Sequence, residues 1–304
     1  MAYSLEDIFV VAVSSRALFD LTEENRIFQL EGLEKYSSHQ LEHESKVLKP
    51  GIAFSLIKAL LHLNKHSESK RLIEVVVMSR NNADTSLRIF NSIQNYELDI
   101  TRAALTSGRP LATYLEAFKV DLFLSADEID VQDAVNAGVA AGLVFESESS
   151  YDEDKTDTIK IAFDGDAVLF SDESEKIYQS KGLDAFIEHE KLNVDIPLPE
   201  GPFAKMLKHL SFIQKQFPAE SNPIRTALVT ARNSPAHERV ILTLRAWGVR
   251  IDEAFFLGGI SKGSVLKAFG AQIFFDDQET HLNNSAKVVP SFKVLPKQQK
   301  LSIE

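Results

Sequence analysis

Asp164-Gly165-Asp166 sets two carboxylates one residue apart, directly after the apolar run Ile161-Ala162-Phe163. A short buried strand that runs into paired acids puts negative charge at the carboxyl edge of a sheet, where open α/β folds bind ligands. Burying such a pair without a partner is costly, and a bound cation is the natural way to satisfy it. The pattern points to metal-assisted phosphoryl chemistry. Three more candidates follow in the same half: Thr230 after Ala227-Leu228-Val229, Lys262 in the glycine-rich loop before a helix, and Asp276-Asp277 after Ile273-Phe274-Phe275. Each has an ordinary reading on its own. Asp-Gly is a common turn dipeptide, an acid pair often caps a helix, and a lone lysine is usually solvated. Together, each at the end of a predicted strand or loop, they make a candidate site.

The elements that must carry these residues come from an α/β pattern. Short apolar strands alternate with helical stretches such as Thr85 to Ile93 and His237 to Trp247, which predicts parallel strands joined by right-handed crossovers. The stretch Glu146 to Thr158 is acidic, Ser-rich and poor in apolar residues, and reads as a linker. The chain repeats itself on either side of it. With Asp164 laid over Ser14, an offset of 150, Val11-Ala12-Val13 falls on Ile161-Ala162-Phe163, Gly32-Leu33 on Gly182-Leu183 and Gly51 on Gly201. After a drift of two residues, Val75-Val76-Val77 meets Ala227-Leu228-Val229 and Arg80-Asn81 meets Arg232-Asn233. The expected fold is two tandem Rossmann-like parallel-sheet units, residues 1–150 and 151–304, with a small helical cap insert at about 171–225 in the second.

Composition narrows the partners. A net charge of −11 supplies no basic field for a nucleic-acid backbone, so DNA and RNA are not expected. The absence of cysteine excludes disulfides, thiolate catalysis and zinc–thiolate sites. The apolar run Ile8 to Val13 is too short for a membrane span and follows acids, so neither a span nor a signal peptide is expected there, and the default location is cytoplasmic. The tail from Val288, with Pro290, Pro296 and several lysines, reads as an arm on a neighbour or a loose end.

The ordered motifs Asp164-Gly165-Asp166, Thr230, Lys262 and Asp276-Asp277 resemble the haloacid dehalogenase-like phosphatase superfamily. The longer words FDGDAVLFSDESE (163–175), LVTAR (228–232) and FFDDQ (274–278) look like the cytosolic type I 5′-nucleotidase family, as do SSRALFD (14–20), GLEKY (32–36), LSAD (124–127) and GVAAGLV (138–144) in the first half. The resemblance implies a nucleophile at Asp164, a general acid and base at Asp166, phosphate contacts from Gly165, Thr230, Ala231, Arg232 and Lys262, and a Mg²⁺ ion held by Asp164, the Asp166 carbonyl, Asp276 and Asp277. It also implies a nucleoside monophosphate substrate, AMP or a pyrimidine deoxynucleotide, and self-association. A small-metabolite phosphatase and a non-catalytic nucleotide sensor are the alternatives. Tyr178, Phe186 and His189 lie in the insert and could stack a base, although aromatics at helical spacing more often serve a core.

The first half reads as degenerate. Ser14 and Arg16 stand where the second half has Asp164 and Asp166, Met78 where it has Thr230, Leu111 for Lys262, and Ser125-Ala126 for Asp276-Asp277. It is expected to be catalytically dead and structural or regulatory, with Ser14, Ser15 and Arg16 as a candidate seat for the phosphate of a nucleotide effector. Arg80, matched to Arg232, favours a structural role for both arginines.

Overall fold

The computed structural model describes residues 4–67, 70–145 and 158–298, so the proposed boundary at 150/151 and nearly all of the acidic linker lie outside the described residues. The first half carries strands β1 (Phe9–Val13), β2 (Ile73–Ser79), β3 (Arg102–Leu105), β4 (Leu122–Ser125) and β5 (Ala140–Val144). Its main helices are α1 (Thr22–Glu42), α2 (Phe54–His62), α3 (Leu87–Asn95), α4 (Ala112–Ala117) and α5 (Glu128–Asn136). The second half follows with strands β6 (Ile159–Phe163), β7 (Ile224–Thr230), β8 (Glu253–Phe256), β9 (Ile273–Asp276) and β10 (Ser291–Val294), and helices α6 (Glu173–Leu192), α7 (Ala204–Gln214), α8 (His237–Ala246), α9 (Lys262–Phe269) and α10 (Glu279–Ser285). The expected helix from Thr85 starts two residues later, because Asp84–Ser86 forms a 3₁₀ turn that leads into α3.

The strands form one sheet in the order β8-β7-β6-β9-β10-β5-β4-β1-β2-β3. Neighbours are parallel except at the seam, where β10 and β5 pair antiparallel, Phe292 opposite Val144 and Val294 opposite Gly142. The sequence pattern shows strands and crossovers but not which edges meet, so this continuous sheet is a finding of the structure. The described part of the tail beyond Val288 supplies β10, and Leu295 beyond the strand is also buried. Gly142 makes the seam close-packed, since a Cβ there would meet the Cβ of Phe292 at 2.9 Å.

Alternation along the buried strands fills both faces. Phe9, Val11, Val13, Ile161 and Phe163 join one large core under α2 and α7 that spans both halves. Val10 and Ala12 face a smaller core with α4 and α5, and Ala162, Ala227 and Val229 face another with α9. Helix α7, inside the span read as a cap insert, buries Met206, Leu207, Leu210 and Ile213 in the large core, whereas α6 is mostly exposed. Helices α1 and α6 carry the same break, Gly32 and Gly182 both at φ 84, a backbone region open in practice only to glycine.

The strand pairings also correct the sequence overlay. Val13 lies opposite Val77 and Phe163 opposite Leu228, so β2 and β7 match with a drift of one residue. Ser79 therefore stands in the place of Thr230, and not Met78. Asn81 stands in the place of Arg232, its N–H bonding the Ser79 hydroxyl at 3.2 Å as that of Arg232 bonds Thr230 Oγ1 at 3.2 Å.

Candidate active site

Strand β6 is flanked by β7 and β9. The chain leaves β6 towards one side and returns on the other, which opens a crevice at the carboxyl ends of these strands. Asp164 follows β6, Thr230 ends β7, Asp276 ends β9, and Lys262 is the first residue of α9. Asp164 accepts a hydrogen bond from the Gly165 N–H at 2.7 Å. A Cβ on Gly165 would lie 3.3 Å from Thr230 Oγ1, so the glycine lets the two loops close on each other. Ala167 then turns the chain at φ 60, a left-handed conformation that costs a non-glycine residue about 1–2 kcal/mol. Such strain next to a site is held by the surrounding packing.

Lys262 Nζ sits between two carboxylates, 2.8 Å from Asp164 Oδ1 and 2.7 Å from Asp276 Oδ2, all three groups buried. Asp276 also accepts from the Gln278 N–H at 2.8 Å and lies 3.2 Å from His281 Nδ1. Burial would raise its pKa, but the hydrogen bond from His281 and the charge of Lys262 hold it below the usual carboxylate range. Asp164 has less help. Burial, offset by Lys262 but reinforced by Asp276 and Asp166, pushes it up to about 7. Burial and the neighbouring charges of Asp164 and Asp276 push Asp277 up to about 8, and its Oδ1 is buried without a hydrogen-bond partner.

Two buried carboxylates thus share one lysine with a third carboxylate beside them, and the excess negative charge and the orphaned oxygen fit a divalent cation. Asp164, Asp276 and His281 present ligand atoms within 4.8 Å of one another. His281 was absent from the sequence-based set. It lies five residues after Asp276, within the first turn of α10. Asp166 is placed differently: its carboxylate is held by Arg232 in a two-pronged ion pair, Nε to Oδ2 at 2.8 Å and Nη2 to Oδ1 at 2.6 Å. Ala231, directly after Thr230, is exposed.

Arg232 reaches further. Its Nη1 bonds Glu190 Oε2 at 2.5 Å, Arg239 bonds Glu190 Oε1 at 3.0 Å, and Ser174 donates to the same oxygen at 2.8 Å. Burial opposes the charge on Glu190, but the two arginines and Ser174 keep its pKa below normal. The Arg232 guanidinium also lies over the Phe186 ring at 5.3 Å. Arg232 therefore ties the crevice to helix α6. Phe186 is buried against it, and Tyr178, edge-on to Phe186 at 6.2 Å, is half exposed.

These shifts predict how pH acts on the cation-free protein. Asp164 and Asp277 bind protons more tightly folded than unfolded, so their contribution to stability is complete below about pH 4 and is lost as pH rises through 7 to 8. Groups held below normal, Glu190 and Asp276, have finished titrating at lower pH. Added Mg²⁺ should raise the melting temperature more at pH 8 than at pH 6. Melting curves in chelator and in Mg²⁺ at both values check this, and an equal gain would contradict it.

The fold and site define an α/β protein whose carboxyl-edge crevice gathers acids around a lysine. The sequence matches the family model described as 5′-nucleotidase over residues 1–300, and the chain belongs to that family. It is 39% identical to a human protein named cytosolic 5′-nucleotidase 1B, over 93% of this chain and 48% of that protein; the chain thus spans about half the length of that curated relative. Among solved structures, a histidinol dehydrogenase from Elizabethkingia anophelis overlaps 78% of this chain and 48% of its own, at a TM-score of 0.24 and 10% identity, too low to bear on fold or function.

Proposed function

We propose that this chain hydrolyses nucleoside 5′-monophosphates to a nucleoside and phosphate, with the second half carrying catalysis and the first half inactive. The observation that carries this is the Asp164–Lys262–Asp276 cluster with Asp277 beside it, at the crevice of a chain that belongs to the 5′-nucleotidase family. Asp164, Asp276 and Asp277 would hold Mg²⁺, with His281 orienting Asp276; the bound ion would offset charge on the phosphoryl oxygens.

The Asp164 carboxylate attacks phosphorus in line, and the bond to the 5′-oxygen breaks as Asp166 donates its proton to that oxygen. Asp166 then takes a proton from water, whose oxygen attacks the aspartyl-phosphate and restores Asp164. Lys262 and the Thr230 hydroxyl hold the phosphoryl oxygens, so most of the barrier is lowered by positioning and charge. Arg232 grips the Asp166 carboxylate at 2.6 Å; an incoming dianionic phosphate competes for the same guanidinium and frees the Asp166 side chain to face the leaving oxygen. Among the described residues no helix is long and apolar enough to cross a membrane, and with the relative named as cytosolic the proposed location is the cytosol.

A panel of phosphomonoesters tests the reading. Nucleoside 5′-monophosphates should be turned over well ahead of sugar phosphates. Preference for a sugar phosphate would make the chain a small-metabolite phosphatase, and turnover of nothing would leave a binding module.

A further inference from the structure

The first half keeps a crevice where the second half has its site. Ser14, Ser79 and Ser125 follow or end β1, β2 and β4, at the places of Asp164, Thr230 and Asp276. Every acid of the cation cluster is thus replaced by a group that cannot hold Mg²⁺ in the same way. The space remains: these residues line a cavity of about 520 Å³, within the range of small-molecule sites.

Two features say what it takes. Its wall is aromatic, with Phe28 edge-on to Tyr36 at 5.8 Å and 78°, repeating Tyr178 and Phe186 at 6.2 Å and 80° on the matching glycine-broken helix. Phe28 is 48% exposed, an apolar face available to a flat ring. The cavity is also lined by Arg16, in the place of Asp166, exposed and in no ion pair among the described residues. The acids that line the cavity are committed elsewhere: Glu24 to Arg88 at 2.6 Å, Asp130 to Arg80 at 2.5 Å, and Asp127 to the Asp130 N–H as a helix cap. In place of a metal ion, an exposed guanidinium beside serine hydroxyls offers the counter-charge for phosphate.

We propose that this cavity is a second nucleotide site, which binds a nucleoside monophosphate with its base against Phe28 and Tyr36 and its phosphate at Arg16, Ser14 and Ser15, and does not hydrolyse it. The ligand class rests on the function proposed above. The test is equilibrium dialysis of the Asp164→Asn chain with radiolabelled AMP. Two equivalents per chain are expected. Adding Arg16→Ala or Phe28→Ala should weaken one of them by about tenfold or more while sparing the other, which also reports an intact fold. Adenosine, lacking the phosphate, should bind the Arg16-dependent site at least about tenfold more weakly than AMP. A single equivalent indifferent to Arg16, two equivalents that ignore both substitutions, or adenosine bound as tightly as AMP would overturn the proposal. If wild type hydrolyses AMP and only one site is found, this inference alone fails. If it neither hydrolyses nor binds AMP, the functional reading fails with it.

Discussion

Asp164→Asn should lower kcat on a nucleoside 5′-monophosphate by roughly 10⁴-fold or more, the scale on which loss of a nucleophile acts. The amide keeps the shape of the side chain and can still accept the 2.7 Å hydrogen bond from Gly165. What it loses is the attacking oxygen. The fold should not suffer, because the substitution removes a buried charge whose pKa is already pushed up to about 7 by burial and by Asp276 and Asp166. The two readouts are therefore expected to separate, with activity gone and the melting temperature unchanged or higher. Activity within tenfold of wild type would remove Asp164 from the chemistry.

Arg232→Ala should be among the most destabilising single changes. It strips the partner from the Asp166 carboxylate and one of two arginine partners from Glu190, and breaking such a buried network costs about 3–5 kcal/mol. The loss comes from leaving charges uncompensated, not from the worth of the contacts themselves. Arg232→Lys should recover little, since one ammonium cannot reproduce a fork that spans Asp166 and Glu190 while lying over Phe186. Urea unfolding of the three proteins reads this out. A cost under about 1 kcal/mol for the alanine variant would mean that Asp166 and Glu190 find other partners.

The acids and the lysine were legible because each closes an apolar run or opens a helix, and such runs become strands whose ends meet at one edge of the sheet. Asp164, Lys262 and Asp276 are drawn together in this way. His281 was hidden because a histidine early in a helix carries no period that separates it from a surface residue. Glu190 and Arg239 were hidden because their ion pair joins α6 to α8 across 49 residues of sequence. The slip of one residue between β2 and β7 has a different cause: both are almost wholly buried runs, and the one cue to their register is a single charged second residue in each, Glu74 in β2 and the exposed Arg225 in β7. The slip matters because the first half retains a hydroxyl, that of Ser79, where the sequence overlay places Met78. The seam was likewise beyond the sequence, since β5 and β10 look like any edge strands until the close approach of Gly142 to Phe292 is seen.

The central claim is that the crevice between β6, β7 and β9 binds one divalent cation through its crowded carboxylates. Calorimetric titration of Mg²⁺ at pH 7.5, in two buffers of different ionisation enthalpy, tests it most directly. The account predicts one equivalent per chain with net proton release, because Asp164 and Asp277, pushed up to about 7 and about 8, must give up protons to the ion. It further predicts that Asp276→Asn abolishes the signal. Mg²⁺ binding that releases no protons, or that survives Asp276→Asn unchanged, would contradict it.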